Sequence, residues 1–156
     1  MGMQSKTFPR PVLSSIESDQ FPPEPQAWMN PILTPESAAV FAFSWLAAWN
    51  ARDLDRILGH YADDIEFLSP FVRRLLNCKR DGVYGIVALR AYFARALNAY
   101  PDLQFALRRA YCGVQSVVLE YQSVSGLLAA EVMEFNDLGL VCRVRAHYAA
   151  EVPRPA

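Results

Sequence analysis

The sequence contains few of the residues that build metal centres and disulfide frameworks. Its three cysteines, Cys78, Cys112 and Cys142, form neither an even set nor a CxxC pair. Its only histidines, His60 and His147, stand far apart in the chain, so a Cys/His zinc site has too few ligands. We therefore expect no metal site and no cofactor.

The sequence also lacks an excess of positive charge and a long apolar run. Lysine and arginine number 15 against 16 aspartates and glutamates, so nothing indicates nucleic acid as a partner. No stretch of about 18 apolar residues is present that would cross a membrane. The first residues do not show the basic and apolar segments of a secretory signal. The cytoplasm is the expected location.

Proline is unevenly distributed and divides the chain. Seven of the eleven prolines lie in the first 35 residues, where they remove backbone donors and favour extended geometry. We predict a mobile or draped arm over residues 1–33, one compact domain over 34–150, and a C-terminal tail over 151–156. With 53% hydrophobic residues, a chain of 156 residues can build one such core.

The first half of the domain has the 3.6-residue period of helices. Thr34 and Pro35 are typical of a helix start, and aromatic side chains then recur every four residues as far as Asn50. Asp53 is the expected cap of a second, short helix. The apolar face of that helix is predicted to consist of Leu54, Ile57, Leu58 and Tyr61.

A strand, a loop and a third helix are predicted next. Asp63 and Asp64 are interpreted as turn residues that cap backbone groups where the second helix ends, and residues 65–69 alternate as a strand. Gly85 precedes a third helix, which Pro101 stops. Between strand and helix lies a polar loop, either solvated or able to steer an anionic ligand, that contains Arg73, Arg74, Lys79 and Arg80.

After Pro101 the hydrophobic period changes from 3.6 to 2, which is typical of strands. Residues 136–139 (Asn-Asp-Leu-Gly) are typical of a tight hairpin turn. Helices followed by strands predict an α+β domain, with helices covering one face of a curved antiparallel sheet. The four predicted strands are QFALRRAY, SVVLEYQSV, EVMEF and LVCRVRAHYAA.

This order of elements, with these segments in it, resembles the nuclear transport factor 2-like superfamily, in particular its SnoaL-like and ketosteroid isomerase-like branch. The resemblance covers roughly residues 34–150. It implies a cone, in which the curved antiparallel sheet wraps around about three N-terminal helices and leaves an apolar pocket. The fold hosts isomerases, dehydratases, cyclases, hydrolases and binding subunits. The segments that carry the resemblance are WLAAWNARDLDRILGHYADDIEFLSP, GIVALRAYFARAL, AYPDLQFAL and EVMEFNDLGLVCRVRAHY.

Strand alternation and the resemblance together predict the interior of the cone. If Met133 and Phe135 point inward, so does Glu131, because side chains two apart share a face. Such a set is what a small apolar ligand needs, and it is also what a filled core looks like. The expected lining residues are Trp45, Trp49, Ser69, Leu119, Tyr121, Met133, Phe135, Val144, Ala146 and Tyr148.

The resemblance also allows the chemistry to be compared position by position. Ketosteroid isomerases use a tyrosine on the first helix, an aspartate before the proline of the first strand, and a protonated aspartate on a later strand. Here Trp45, Ser69 and Glu131 occupy these places. Tryptophan cannot act as a phenol, and an unactivated serine is no general base at neutral pH. Steroid-type isomerisation by that mechanism is therefore not expected.

Glu131 is the candidate catalytic residue. A carboxylate that points into an apolar cone is disfavoured when charged, so its pKa should rise and it can act as an acid or a base. Two alternatives remain open. In the first, Glu131 only satisfies buried groups such as Tyr121, Tyr148 or the Trp45 N–H. In the second, a strand shifted by one residue turns Glu131 to solvent.

The other titratable candidates are expected at the surface. His60 lies near a helix end, and His147 is predicted on the outer face of the last strand with Arg143 and Arg145. Mixed charge on that face, with Glu134 opposite, suits a self-complementary interface, and we predict a homodimer through it. Two function classes remain. One is a cofactor-free acid–base enzyme of isomerase, dehydratase or cyclase type on a small apolar substrate, and the other is a non-catalytic module that binds a ligand or partner.

Overall fold

A computed structural model describes residues 34–150. The predicted arm, 1–33, and the predicted tail, 151–156, lie outside the described residues. Helices come first and most strands follow, which confirms the α+β prediction. The elements are α1 Pro35–Asn50, α2 Leu54–Leu58, β1 Tyr61–Leu68, α3 Phe71–Leu76, β2 Gly82–Tyr84, α4 Ile86–Ala99, β3 Ala106–Gly113, β4 Ser116–Gln122, β5 Leu128–Phe135 and β6 Val141–Tyr148.

The six strands form one sheet in the order β2-β1-β6-β5-β4-β3. All neighbours are antiparallel except β1 and β6, which run parallel. Short connections join the successive strands from β3 to β6, which is possible because these strands are antiparallel, as predicted. The hairpin turn before β6 also matches its prediction, because Gly139 has a positive φ of 78° and the Asn136 side chain accepts from the Leu140 N–H.

Helix α1 begins where the sequence predicts. The Thr34 side chain accepts a hydrogen bond from the Ser37 N–H at 3.1 Å, and the Ser37 hydroxyl contacts the Thr34 N–H at 3.1 Å, so two otherwise unpaired donors are satisfied. The helix buries one stripe against the sheet. That stripe consists of Ala38, Ala42, Trp45, Ala48 and Trp49.

Strand β1 starts earlier than predicted, at Tyr61. Tyr61 is therefore not part of the second helix, and Asp63 and Asp64 are exposed strand residues, not caps of a turn. Helix α2 already ends at Gly59, whose N–H bonds to the Asp55 carbonyl, and Tyr61 pairs with Val141 of β6. The long-range pairing overrides the local preference of aspartate for turns.

The predicted basic loop contains regular structure. Residues 71–76 form α3, in which Val72 is fully buried while Arg73 and Arg74 face solvent, and β2 follows. Arg73 forms an ion pair with Asp81. The short helix adds a fourth helix to the three predicted ones. No helix among residues 34–150 is both long and apolar enough to cross a membrane.

Candidate functional site

A cavity of about 50 Å³ lies inside the cone, between the helices and the concave face of the sheet. We call it the inner cavity. Its walls are mostly aromatic, and among residues 34–150 Glu131 supplies its only charged side chain. Apolar walls with few polar groups are typical of ligand sites, but the volume is well below the roughly 300–1,000 Å³ of such sites. Its eleven aromatic lining residues are Trp45, Trp49, Tyr61, Phe67, Phe71, Tyr92, Phe93, Tyr100, Phe105, Tyr121 and Tyr148.

Glu131 reaches this cavity from β5. Alternation along the strand buries it together with Ala129 and Met133, and only 5% of Glu131 is exposed. The Tyr121 hydroxyl donates to Glu131 Oε1 at 2.7 Å, whereas Oε2 is buried without a hydrogen-bond partner. Burial raises the pKa of Glu131 to about 7, although the hydrogen bond from Tyr121 acts in the opposite direction.

Four phenols surround this carboxyl group. Tyr61, Tyr92, Tyr121 and Tyr148 all have pKa values raised above 10, first because they are buried and also because of the nearby charge of Glu131. They therefore remain neutral hydrogen-bond donors at physiological pH. Tyr61 and Tyr92 are not among the site residues that the sequence predicts. The helical spacing of Tyr92 from Leu89 would have placed it on the inner face of α4.

The two indole groups differ in their hydrogen bonding. Trp45 Nε1 donates to the Tyr61 hydroxyl at 2.9 Å. Trp49 lies one helical turn further along α1 and is 5% exposed. Its Nε1 forms no well-aligned hydrogen bond, but it is close enough to the Tyr61 hydroxyl to moderate the rise in the pKa of Tyr61. Two residues that line the inner cavity thus carry incompletely paired groups, Trp49 Nε1 and Glu131 Oε2.

The structure brings only part of the predicted lining set to the inner cavity. Trp45, Trp49, Tyr121 and Tyr148 line it with Glu131. Strand alternation identifies the inward face but not the depth of a residue along the cone. The remaining predicted residues are buried in the core and do not line the inner cavity; they are Ser69, Leu119, Met133, Phe135, Val144 and Ala146.

Ser69 has a local role. It ends the turn after β1, where its hydroxyl accepts from the Phe71 N–H at 3.2 Å. The same hydroxyl interacts with the phenols of Tyr92 and Tyr148 and moderates the rise in their pKa values. Ser69 therefore supports two cavity residues without lining the cavity itself.

The histidines lie outside the inner cavity. His60 is half-buried, and its Nε2 lies 2.9 Å from the Ser44 hydroxyl. His147 is exposed on the outer face of β6. Residues 34–150 contain no group of three or more His, Cys, Asp or Glu side chains that could hold a metal ion.

A larger depression of about 420 Å³ adjoins the inner cavity. We call it the outer groove. It lies between the turn that follows α4, residues 99–104, and the connection from β4 to β5, residues 122–126. Four residues line both spaces, namely Tyr100, Leu103, Ser123 and Val124.

The arrangement can transfer protons. A carboxyl group with a pKa of about 7 is present in both protonation states near neutral pH, which suits a general acid or base. Because Tyr121 occupies Oε1, the free atom Oε2 is the one that can gain or lose a proton toward a ligand. The neutral donors around it can stabilise negative charge on a ligand oxygen.

Comparison with known proteins gives a consistent picture. The family model of the SnoaL-like domain matches residues 43–150. A SnoaL-like protein of unknown function from Burkholderia thailandensis is 38% identical, with a TM-score of 0.72, over 76% of this chain and 98% of that chain. A comparison with curated proteins finds no match.

Two more distant structures share the fold. A protein from Kribbella flavida, provisionally described as a ketosteroid isomerase, is 19% identical, with a TM-score of 0.62, over 80% of this chain and 87% of that chain. A protein from Agrobacterium tumefaciens, provisionally described as an isomerase of the SnoaL-like family, is 17% identical, with a TM-score of 0.59, over 72% of this chain and 97% of that chain.

Proposed function

The chain belongs to the SnoaL-like family of the nuclear transport factor 2-like superfamily, and on that premise we propose that it is a cofactor-free acid–base enzyme. Its substrate is a small, neutral, largely apolar molecule, and Glu131 transfers the proton. The reaction is of the isomerase, dehydratase or cyclase type, since proton transfer at a shielded site can drive the bond changes of each without a cofactor.

The observation that carries the proposal is the unpaired carboxyl oxygen, Glu131 Oε2, together with Trp49 Nε1, which forms no well-aligned hydrogen bond. Leaving a buried polar group without a hydrogen bond costs about 1–3 kcal/mol, and most buried polar groups in proteins are paired. A glutamate that served only the fold would be expected to have both oxygens satisfied. A donor and an acceptor that face the same cavity instead suit a ligand that supplies the missing partners.

The proposed step moves one proton. Ionised Oε2 takes a proton from the carbon next to a substrate carbonyl. The electron pair of the C–H bond forms a C=C bond, and the π pair of the C=O bond moves to the oxygen, which gives an enolate. The N–H of Trp49 donates to that oxygen and stabilises its negative charge. Protonated Oε2 then returns the proton to the same carbon or to another one, so Glu131 is regenerated.

This assignment differs from the ketosteroid isomerase pattern. The N–H of Trp45 is already bonded to Tyr61, and Ser69 does not line the inner cavity. Neither residue is therefore assigned the role of its family counterpart. Trp49 and Glu131 carry the proposed chemistry.

Deuterium exchange into 2-butanone tests the proposal without knowledge of the natural substrate. In D₂O the protein should accelerate exchange at the carbons beside the carbonyl above the buffer rate, as followed by proton NMR. Glu131→Gln should reduce exchange to the buffer rate. Glu134→Gln is the matched control, because Glu134 lies on the same strand but on the outer face, 3.1 Å from Arg143.

The outcomes separate the two function classes. Exchange by the wild-type protein that is lost only in Glu131→Gln supports the enzyme. Exchange that is equal in Glu131→Gln and wild type removes Glu131 from the reaction. Binding of 2-butanone without any exchange favours the non-catalytic binding module.

We further propose a homodimer through the outer face of β4, β5 and β6. On this face Val118 and Val132 are register partners, and Arg143 and Glu134 pair beside them at 3.1 Å. An apolar centre with balanced charge suits a two-fold interface. Light scattering should give the mass of a dimer, and Val132→Glu should give a folded monomer. A monomeric wild-type protein at micromolar concentration would refute the dimer.

A further inference from the structure

The inner cavity is too small for a whole substrate of ordinary size. Its volume is about 50 Å³, whereas an engineered cavity of about 150 Å³ is one that takes up benzene. The outer groove beside it measures about 420 Å³. A larger molecule that places one end against Glu131 must therefore extend into neighbouring space, and the outer groove is that space.

The two spaces share part of their walls. Tyr100, Leu103, Ser123 and Val124 line both. Tyr100 and Val124 are half-buried, whereas Leu103 and Ser123 are buried. The four side chains thus form the boundary between the inner cavity and the outer groove.

The outer groove differs in chemistry from the inner cavity. Apart from the shared residues, its walls contain polar side chains, and Asp102 is its only charged residue. The side-chain oxygen of Gln122 accepts a hydrogen bond from Arg108 at 3.4 Å, so the side-chain NH₂ of Gln122 remains available as a donor. The side-chain NH₂ of Gln104 donates to the backbone carbonyl of Asn50 at 3.4 Å, so the side-chain oxygen of Gln104 remains available as an acceptor.

The turn between β4 and β5 keeps the Gln122 amide accessible. Ser125 and Gly126 both have positive φ, 56° and 72°, a conformation that is uncommon for a residue other than glycine. A Cβ atom at position 126 would lie 3.7 Å from Gln122 Nε2. Glycine at position 126 therefore leaves the side-chain amide of Gln122 uncovered, whereas a larger residue there would contact it.

We propose that the outer groove is a second subsite and that the substrate has two parts. A short apolar end that carries the reacting carbonyl enters the inner cavity. A neutral chain with hydroxyl or amide groups lies in the outer groove, where it accepts from Gln122 and donates to Gln104. The proposal rests on the proposed function, because it assumes that Glu131 faces the reacting end.

Four ketones that share one end test the proposal. 2-Butanone carries only the shared end, N-(2-hydroxyethyl)-4-oxopentanamide adds a neutral polar chain, 2-octanone adds an apolar chain, and 4-oxopentanoate adds an anionic one. Binding is followed by NMR chemical shifts and by tryptophan fluorescence. Two added hydrogen bonds should tighten binding of the amide by about tenfold over 2-butanone, and the other two chains should add less.

Variants of the outer groove make the test specific. Gln122→Leu and Gln104→Leu should each remove most of the advantage of the amide while leaving 2-butanone binding unchanged. Arg90→Leu is the control, since Arg90 lies on α4 away from the outer groove and pairs with Asp55 at 2.8 Å. If one glutamine variant fails to fold, the other still decides the question.

Failure of this inference can be told apart from failure of the proposed function. If 2-butanone binds but the amide gains nothing, or if 2-octanone gains as much, the second subsite is refuted and the inner site stands. If none of the four ketones binds, both proposals are refuted. An amide advantage that survives in both glutamine variants also overturns the assignment of the outer groove.

Discussion

Tyr121 and Glu131 are diagonal neighbours on β4 and β5, and the tyrosine hydroxyl donates to the glutamate at 2.7 Å. This contact decides which oxygen of the carboxyl group remains available. With Oε1 occupied, Oε2 is the atom left for a ligand or a proton. The tyrosine on β4 thus determines which oxygen of the glutamate on β5 can react.

We predict that Glu131 titrates near neutral pH. Its pKa is raised to about 7, mainly by burial, so its carboxyl signal in carbon NMR should have a midpoint near that value. The signal should be absent in Glu131→Gln and retained in Glu134→Gln. A midpoint below pH 5 for Glu131 would contradict the buried position.

The same shift predicts how stability depends on pH. The folded state binds the Glu131 proton more tightly than the unfolded state, whose pKa is near 4.5. The stability that this difference contributes is therefore fully present below about pH 4.5 and is lost as the pH rises through about 7. It amounts to on the order of 3 kcal/mol in the free energy of unfolding. Denaturant titrations across this range should show a steeper loss in wild type than in Glu131→Gln.

Tyr121→Phe should raise the pKa of Glu131 further. The Tyr121 hydroxyl favours the charged carboxylate, so its removal leaves burial unopposed. We also expect a loss of about 1–3 kcal/mol in the free energy of unfolding, because a second carboxyl oxygen becomes unpaired. An unchanged midpoint in the NMR titration would show that this hydrogen bond does not form in solution.

Trp45→Phe and Trp49→Phe form a matched pair. Both substitutions remove the same atoms from a buried site on α1, but only Trp45 loses a well-aligned hydrogen bond, that to Tyr61 at 2.9 Å. Trp45→Phe should therefore cost about 1–2 kcal/mol more in the free energy of unfolding than Trp49→Phe. Chemical denaturation measures the difference, and equal losses would indicate that both indole N–H groups are paired in solution.

Asn50→Ala should destabilise the domain by about 2–4 kcal/mol. The Asn50 side chain donates to the Phe105 carbonyl at 2.9 Å and accepts from the Phe105 N–H at 2.7 Å. It therefore fastens the end of α1 to the backbone just before β3. Thermal unfolding would show the loss, with Asn98→Ala, an exposed asparagine on α4, as the control.

Local signals in the sequence predicted much of this fold. The Thr34 cap, the period of α1 and the alternation of β5 depend on neighbouring residues, so they are visible in the sequence itself. The short helix α3 was missed because Arg73 and Arg74 mark the segment as polar, although Val72 between helix and sheet is fully buried. The early start of β1 was missed because it depends on pairing with a strand far along the chain.

The candidate site was predictable only in part for the same reason. Alternation identifies inward faces, which is why Glu131, Tyr121 and Tyr148 were among the candidates. It does not show how high in the cone each residue lies, and it gave no reason to include Tyr92, which comes from a helix. Which hydrogen bonds form among the inward groups depends on three-dimensional distances that no spacing in the sequence encodes.

The position of β6 between β1 and β5 has a consequence for how the domain is made. The first strand of the domain lies beside the last one, so a nascent chain that has not yet reached residue 141 cannot complete its sheet. Until then β1 and β2 form a separate hairpin with an open edge, and such non-local pairing is slow and exposes aggregation-prone surface. Assembly of this protein on the ribosome therefore has to wait for its final strand.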